Sequence, residues 1–220
     1  PPRRCGQAGL PMTWATARHL AKTAKPLPGS SGRPHGQRHT MADTGAWQSL
    51  LFVPANRPDL AEKAPCAGAD AVILDLEDAV PAAERPAARA ALPGLIRQLD
   101  AAGLAVCVRV NADLRSQVRD LEAIVDQALD SVMLPKAEGP AEMAATDSII
   151  TGLEQERGLA AGRIGVIALI ETARGILAAD RIADAIPRLR GLALGPEDLA
   201  LDLGAEPAPA LLAGPLQQLT

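Results

Sequence analysis

Aromatic residues are almost missing from this 220-residue chain: one Phe, two Trp and no Tyr. Packing therefore falls to Ala, Val, Leu and Ile, and a 48% apolar composition is enough for one substantial core. Stacking of bases or sugars on aromatic faces is excluded as a main mode of recognition. Histidine is also restricted, because His19, His35 and His39 all precede residue 40. If that leader lies outside the fold, the folded part has no His. Ser–His and Cys–His nucleophilic catalysis and every His-based metal site are then removed together. Cys5, Cys66 and Cys107 are too few and too scattered for a disulfide framework or a zinc site, and a reducing, cytoplasmic setting fits them best. No apolar run approaches the roughly 18 residues that a membrane span requires.

Acidic residues are absent from positions 1–40, which carry Arg3, Arg4, Arg18, Lys22, Lys25, Arg33 and Arg38. The whole chain has 22 basic and 26 acidic residues, so positions 41–220 keep 15 basic against 26 acidic, a net of −11 behind the formal −4. An acidic globular part argues against nucleic acid as a partner. Residues 1–45 show no sustained apolar period and read as a disordered basic extension. Pro and Gly clusters such as Lys25-Pro26-Leu27-Pro28-Gly29 oppose a transit-peptide helix. Met41 stands just before regular patterning begins, and the expected reading is an upstream over-extension with Met41 as the natural start. Residues 46–220 then form the catalytic domain.

From Trp47 onward one unit repeats: a short apolar run, a polar turn, then an Ala-rich helical stretch. The runs are 50–53, 71–74, 106–110, 132–134, 166–170 and 192–194. They are nearly continuous in hydrophobicity, as for strands covered on both faces. Helices are expected over about 57–67, 82–102, 115–128, 140–158 and 174–186, the spans between the runs. Strand–helix alternation implies right-handed βαβ crossovers and a parallel sheet. Polar groups follow every run: Asn56 and Arg57, then Asp75, Glu77 and Asp78, then Arg109 and Asn111, Lys136, Glu171, and finally Glu197 and Asp198. Convergence of all strand ends on one mouth favours a (β/α)8 barrel over a doubly wound sheet, and no Gly-x-Gly-x-x-Gly follows the first strand.

Glu171 and Asp198 are the sharpest pair. Either alone would read as a helix-start acid favoured by the dipole. Together on neighbouring strand ends they read as two hard oxygen ligands for Mg2+, with water and substrate filling the other positions. Glu197 is the nearer alternative ligand.

The segments 49–58, 70–80, 108–111, 133–138, 169–175 and 195–200 closely resemble, in order, those of the citrate lyase beta-subunit-like family in the HpcH/HpaI aldolase superfamily. The resemblance runs from about Ser49 to Gly204. It implies a (β/α)8 barrel assembling as trimers or hexamers, and Mg2+ on Glu171 and Asp198. The reaction implied is a reversible carbon–carbon cleavage of a 3-hydroxyacyl thioester (malyl, citramalyl or citryl, on CoA or an acyl carrier) into acetyl thioester and an oxo acid. It also implies that Arg109 grips the oxo acid's carboxylate or keto oxygen. Arg can do so with two prongs; the competing role is an ion pair with Asp75 or Glu77. Asp75, Glu77 and Asp78 would order metal-bound water or move a proton. Asn56 and Arg57 match a cofactor-side loop, against a plain helix start at Pro58. Lys136 would contact CoA phosphate or stand solvated.

Three departures bear on this reading. Gln48 stands where the family usually has Arg. Asp78 stands where the superfamily's aldolases acting on free hydroxy-oxo acids place a His, which counts against that second activity. After the sixth run only one helix-length segment remains, interrupted by Pro207, Pro209 and Pro215. A barrel of this kind typically takes ~250 residues, so the chain reads as truncated after the sixth βα unit. The first and sixth strands would then be open edges, and a silent homologue becomes a third reading.

Overall fold

The computed structural model describes residues 47–219; the expected basic extension over 1–45 and the start at Met41 lie outside the described residues. Six strands form: β1 (Leu50–Pro54), β2 (Ala71–Asp75), β3 (Ala105–Arg109), β4 (Ser131–Leu134), β5 (Gly165–Ile170) and β6 (Leu189–Leu194). All pairings are parallel and the spatial order is β1-β2-β3-β4-β5-β6, the order of the chain. Each crossover therefore steps in the same direction. A doubly wound sheet would reverse its order at a switch point, whereas stepwise winding is that of a (β/α)8 barrel. The chain has the barrel-type α/β fold, and its described residues supply six of the strands.

The helices are α1 (Pro58–Ala61), α2 (Arg85–Ala101), α3 (Leu114–Ile124), α4 (Pro140–Glu156), α5 (Ala173–Leu177), α6 (Ala179–Ala183), α7 (Pro196–Asp202) and α8 (Pro209–Gln218). Pro58, Pro140, Pro196 and Pro209 each open a helix, where the missing N–H is not needed and φ is already helical. None of these helices is long and apolar enough to cross a membrane.

Side-chain parity along the strands separates two apolar layers. Val72, Leu74, Val106, Val108, Val132, Leu134, Val166 and Ala168 face outward and pack with Leu92, Ile96, Leu121, Ile124, Met143 and Ile150 of the helices. The alternate positions Ile73, Cys107, Met133 and Leu169 form a smaller inner cluster, with Leu50, Phe52, Ile167 and Ala193 packed against it. Because side chains alternate with a period of two, continuing the inner parity carries the chain to Asp75, Arg109 and Glu171. The same rule that fills the barrel interior thus delivers charged groups to its carboxyl-end mouth.

Several boundaries differ from the expected ones. The span 57–67 divides into α1 and a 3-10 turn at Ala64–Ala67, since Pro65 cannot donate within a continuous helix and Gly68 closes the turn at φ 74°. The span 174–186 divides at Ala178, whose N–H is shared between the carbonyls of Arg174 and Gly175. Strand β6 begins at Leu189, three residues early, because Arg190 is an extra residue: Val166 pairs with Leu189 and Ile167 with Gly191. The proline-bearing tail forms α8, with Pro209 in the first turn and Pro215 inside.

At the amino-terminal side of the sheet, buried Arg188 ties α4 to the starts of β5 and β6. Its Nη1 and Nη2 donate to both oxygens of Glu154 at 2.9 and 3.0 Å, Nη2 also to Thr151 at 2.7 Å, and Nε to Asp147. Burial alone would raise the Glu154 carboxyl. Hydrogen bonds from Arg188 and from the N–H groups of Ile164 and Gly162 instead hold it below its ordinary value.

Candidate active site

Arg109, the last residue of β3, lies beside Asp75, the last of β2, in the sheet register. Its Nε and Nη2 donate to the two Asp75 carboxylate oxygens, both at 2.7 Å. Those oxygens also accept from the N–H groups of Glu77 at 2.9 Å and Ala79 at 3.0 Å. Asp75 is thereby saturated and acts as the holder of Arg109. Two of the five guanidinium N–H groups are committed to Asp75, the ion pair that stood beside the expected two-pronged grip on an oxo acid. The edge that remains is Nη1 with the second N–H of Nη2, and Nη1 reaches Asp78 at 3.3 Å, Glu77 at 3.5 Å and Glu171 at 3.9 Å. The guanidinium carbon stands 5.4 Å from the centroid of the Phe52 ring, a cation–π contact against the inner cluster. Burial works against the Arg109 charge, but Asp75, Glu77 and Asp78 more than offset it and raise its pKa.

Glu171 follows β5 and is 3% exposed. Its Oε2 accepts from the Lys136 N–H at 3.0 Å. On its other side the chain comes close at Gly195, where an added Cβ would lie 2.5 Å from Glu171 Cγ and 2.6 Å from Oε1. Only glycine leaves room for this carboxylate. Burial pushes Glu171 up to about 7; the Lys136 N–H opposes that rise, while Glu77 and Asp198 add to it. Burial also raises Glu77, whose Oε2 finds no hydrogen-bond partner among the described residues.

Lys136, expected to contact CoA phosphate or stand solvated, keeps its side chain 40% exposed, with Nζ 3.3 Å from Asp198 Oδ2 and 3.4 Å from Glu77 Oε1. Its φ of +52° is the one positive value at a non-glycine residue among the described residues. That conformation costs roughly 1 kcal/mol or more and persists where the surroundings over-determine it. Here the Lys136 N–H is held by Glu171 and the following Ala137 N–H by the Leu169 carbonyl at 3.1 Å.

Asp75, Glu77, Asp78, Arg109, Lys136, Glu171 and Asp198 therefore meet in one cluster. Asn56 and Arg57 do not join its ion pairs. Asn56 Nδ2 donates to Glu84 at 2.6 Å, and Arg57 forms a two-bond pair with Asp59 at 2.9 Å on the surface. Gly195 and the saturated role of Asp75 were not foreseen. The Gly195-Pro196 step beside two acids was the only available signal for the first.

Five carboxylates face two cations in this mouth, and this excess adds to burial, the larger cause, in making Glu171 and Glu77 hard to ionise. A divalent cation would relieve that excess, and the donors are hard oxygens suited to Mg2+. Among the described residues no group of three or more His, Cys, Asp or Glu converges as a ready-made cage. The fit is with a cation held by two carboxylates and otherwise by water and substrate.

The family model for the HpcH/HpaI aldolase/citrate lyase family matches residues 48–211. Citrate lyase subunit beta of Leuconostoc mesenteroides subsp. cremoris is 36% identical over 157 residues, covering 71% of this chain and 52% of that protein. An L-malyl-CoA/beta-methylmalyl-CoA lyase of Cereibacter sphaeroides is 36% identical over 160 residues, covering 71% of this chain and 50% of its own length. The chain thus spans about half the length of the curated relatives it matches. Among solved structures, the citrate lyase beta subunit of Mycobacterium tuberculosis complexed with oxaloacetate and magnesium superposes with a TM-score of 0.60 at 36% identity, covering 80% of this chain and 74% of that one. With six strands wound in order, a charged mouth at their carboxyl ends and a family match over most of its length, this chain belongs to the HpcH/HpaI aldolase/citrate lyase family.

Proposed function

We propose that this chain works as a magnesium-dependent carbon–carbon lyase, cleaving or forming a 3-hydroxyacyl thioester of the malyl, citramalyl or citryl type. The products in the cleaving direction are an acetyl thioester and an oxo acid. The observation that carries the reading is the cluster of five carboxylates around Arg109 and Lys136, with Glu171 pushed up to about 7 by burial. A relative named as a malyl-CoA lyase and a neighbour solved with oxaloacetate and magnesium support it from outside.

Glu171 and Asp198 would hold the Mg2+. Bound there, the ion would supply Lewis-acid chemistry at the oxo-acid side of the substrate. The Arg109 edge not committed to Asp75, Nη1 with the second N–H of Nη2, offers charged hydrogen bonds to the carboxylate of the oxo-acid part. Asp75 keeps that guanidinium from turning, so its position is set before substrate arrives. Glu77 is suited to hold a proton, with a raised pKa and one oxygen without a hydrogen-bond partner among the described residues. In cleavage the 3-hydroxyl proton passes to Glu77 and the C2–C3 electron pair moves onto the thioester fragment. Glu77 then returns that proton to C2 of the enolate, which gives the acetyl thioester and leaves Glu77 as it began. Asp78, half exposed beside Arg109, orders the entering polar group.

A cytoplasmic setting and a trimeric or hexameric assembly belong to the same proposal. The test is incubation of the full chain with MgCl2 and, separately, malyl-CoA, citramalyl-CoA and citryl-CoA. Magnesium-dependent release of acetyl-CoA, lost in Glu171→Gln and Asp198→Asn, is the expected result. Oxo-acid release from a free 4-hydroxy-2-oxo acid instead would move the reading to a plain aldolase. Absence of product from all of these would overturn it, and light scattering reads the assembly.

A further inference from the structure

The Lys136 ammonium lies where a divalent cation is expected to gain most. It sits 3.3 Å from Asp198 and 3.4 Å from Glu77, in the midst of the excess negative charge. The same residue supplies the backbone N–H on Glu171 from a left-handed conformation that alanine-like residues rarely adopt. Side chain and main chain of one residue thus touch both carboxylates read as metal ligands. The side chain is 40% exposed, long and flexible, so its head can leave the site without unfolding anything.

We propose that Lys136 is the internal counter-ion of the metal site. Its ammonium bridges Asp198 and Glu77 while no metal is bound, and it withdraws from Asp198 when a divalent cation enters. The proposal rests on Glu171 and Asp198 being the metal ligands. Two like charges cannot share one carboxylate oxygen cheaply, because unit charges about 4 Å apart interact strongly at a protein surface. Metal affinity in this protein is therefore set below what its carboxylates alone would give. Lys136 spares the empty mouth from its own repulsion, and each metal-binding event includes the displacement of this side chain.

The test is isothermal titration of the full chain with MgCl2, comparing wild type, Lys136→Met, Lys136→Arg and Glu171→Gln. Methionine keeps the backbone N–H and the length of the side chain but removes the charge. Lys136→Met is expected to bind Mg2+ at least tenfold more tightly, and Lys136→Arg within about threefold of wild type. Equal or weaker binding by Lys136→Met, with wild-type uptake that Glu171→Gln abolishes, overturns the counter-ion role and leaves the metal site standing. No uptake by wild type or Lys136→Met overturns both. A second measurement needs no variant: acetylation of Lys136 by N-hydroxysuccinimidyl acetate, read by peptide mass spectrometry. The rate is expected to rise with saturating Mg2+; an unchanged or slower rate contradicts displacement.

Discussion

Replacing Gly195 with Ala isolates the placement of Glu171 from every other property of the site. The backbone at Gly195 has φ −96° and ψ 96°, which any L-residue adopts, so the substitution carries no conformational penalty of its own. Its whole effect comes from the new methyl, 2.5 Å from Glu171 Cγ, 2.6 Å from Oε1 and 3.0 Å from Cδ. Restoring an ordinary contact of 3.4 Å requires Glu171 to retreat by about 0.9 Å. Glu171 is buried and its far oxygen is already held by the Lys136 N–H, so that retreat breaks an existing bond or strains the β6 turn. Overpacking of this kind costs about 1–3 kcal/mol of stability. A displacement near 1 Å at a reacting centre costs on the order of 100-fold in rate. Thermal unfolding, Mg2+ titration and acetyl-CoA release read the three consequences. Gly152→Ala on α4 is the control: nothing lies within 4 Å of its added Cβ, and helix propensity favours Ala by about 1 kcal/mol. Gly195→Ala indistinguishable from wild type in both melting and Mg2+ affinity would refute the placement of Glu171 against this turn.

Four further outcomes are expected. Glu171 rises from its ordinary 4.5 to about 7. A raised folded-state value means its contribution to stability is present below about pH 4.5 and lost as pH climbs through about 7, at most about 3 kcal/mol for the metal-free protein. Melting followed from pH 4.5 to 8 should show that loss, and Glu171→Gln should flatten it. Arg188→Met leaves Glu154 buried without its partner and should cost about 3–5 kcal/mol in urea unfolding; a loss under 1 kcal/mol would show the network to be idle. Asp75→Asn frees one edge of the Arg109 guanidinium and should lower kcat/KM on the order of 100-fold while Mg2+ affinity stays within about threefold. Arg57→Ala should leave steady-state kinetics within about twofold, since exposed pairs such as Arg57–Asp59 contribute about 0–1 kcal/mol.

The barrel winding was legible because it depends on two coarse signals: apolar runs of strand length and polar residues at each carboxyl end. Asp75, Arg109 and Glu171 were legible as members of one mouth for the same reason, standing on the inner parity of β2, β3 and β5. Their division of labour was not. Whether Arg109 turns its Nε and Nη2 to Asp75 depends on a register of one residue and on the N–H groups of Glu77 and Ala79, none of which spacing reveals. The contacts of Lys136 with Asp198 and Glu77 were not legible, because a left-handed backbone at a lysine has no signature in composition. The early start of β6 stayed hidden since Arg190 and Gly191 interrupt its apolar run, and a bulge absorbs the surplus residue. Arg188 escaped notice because its four partners lie on α4 and before β5, far away along the chain.

Beneath the charged mouth, the inner cluster sets a sulfur atom against the sheet's own solvent barrier. Cys107 is fully enclosed, and burial pushes its thiol up to about 12, so it is almost entirely protonated at neutral pH and does not react while the sheet is closed. Cys66 lies exposed on the turn after α1. The molecule thus carries its own paired reporters: alkylation of Cys66 measures reagent access, and the slower alkylation of Cys107 counts the moments at which β2, β3 and β4 part.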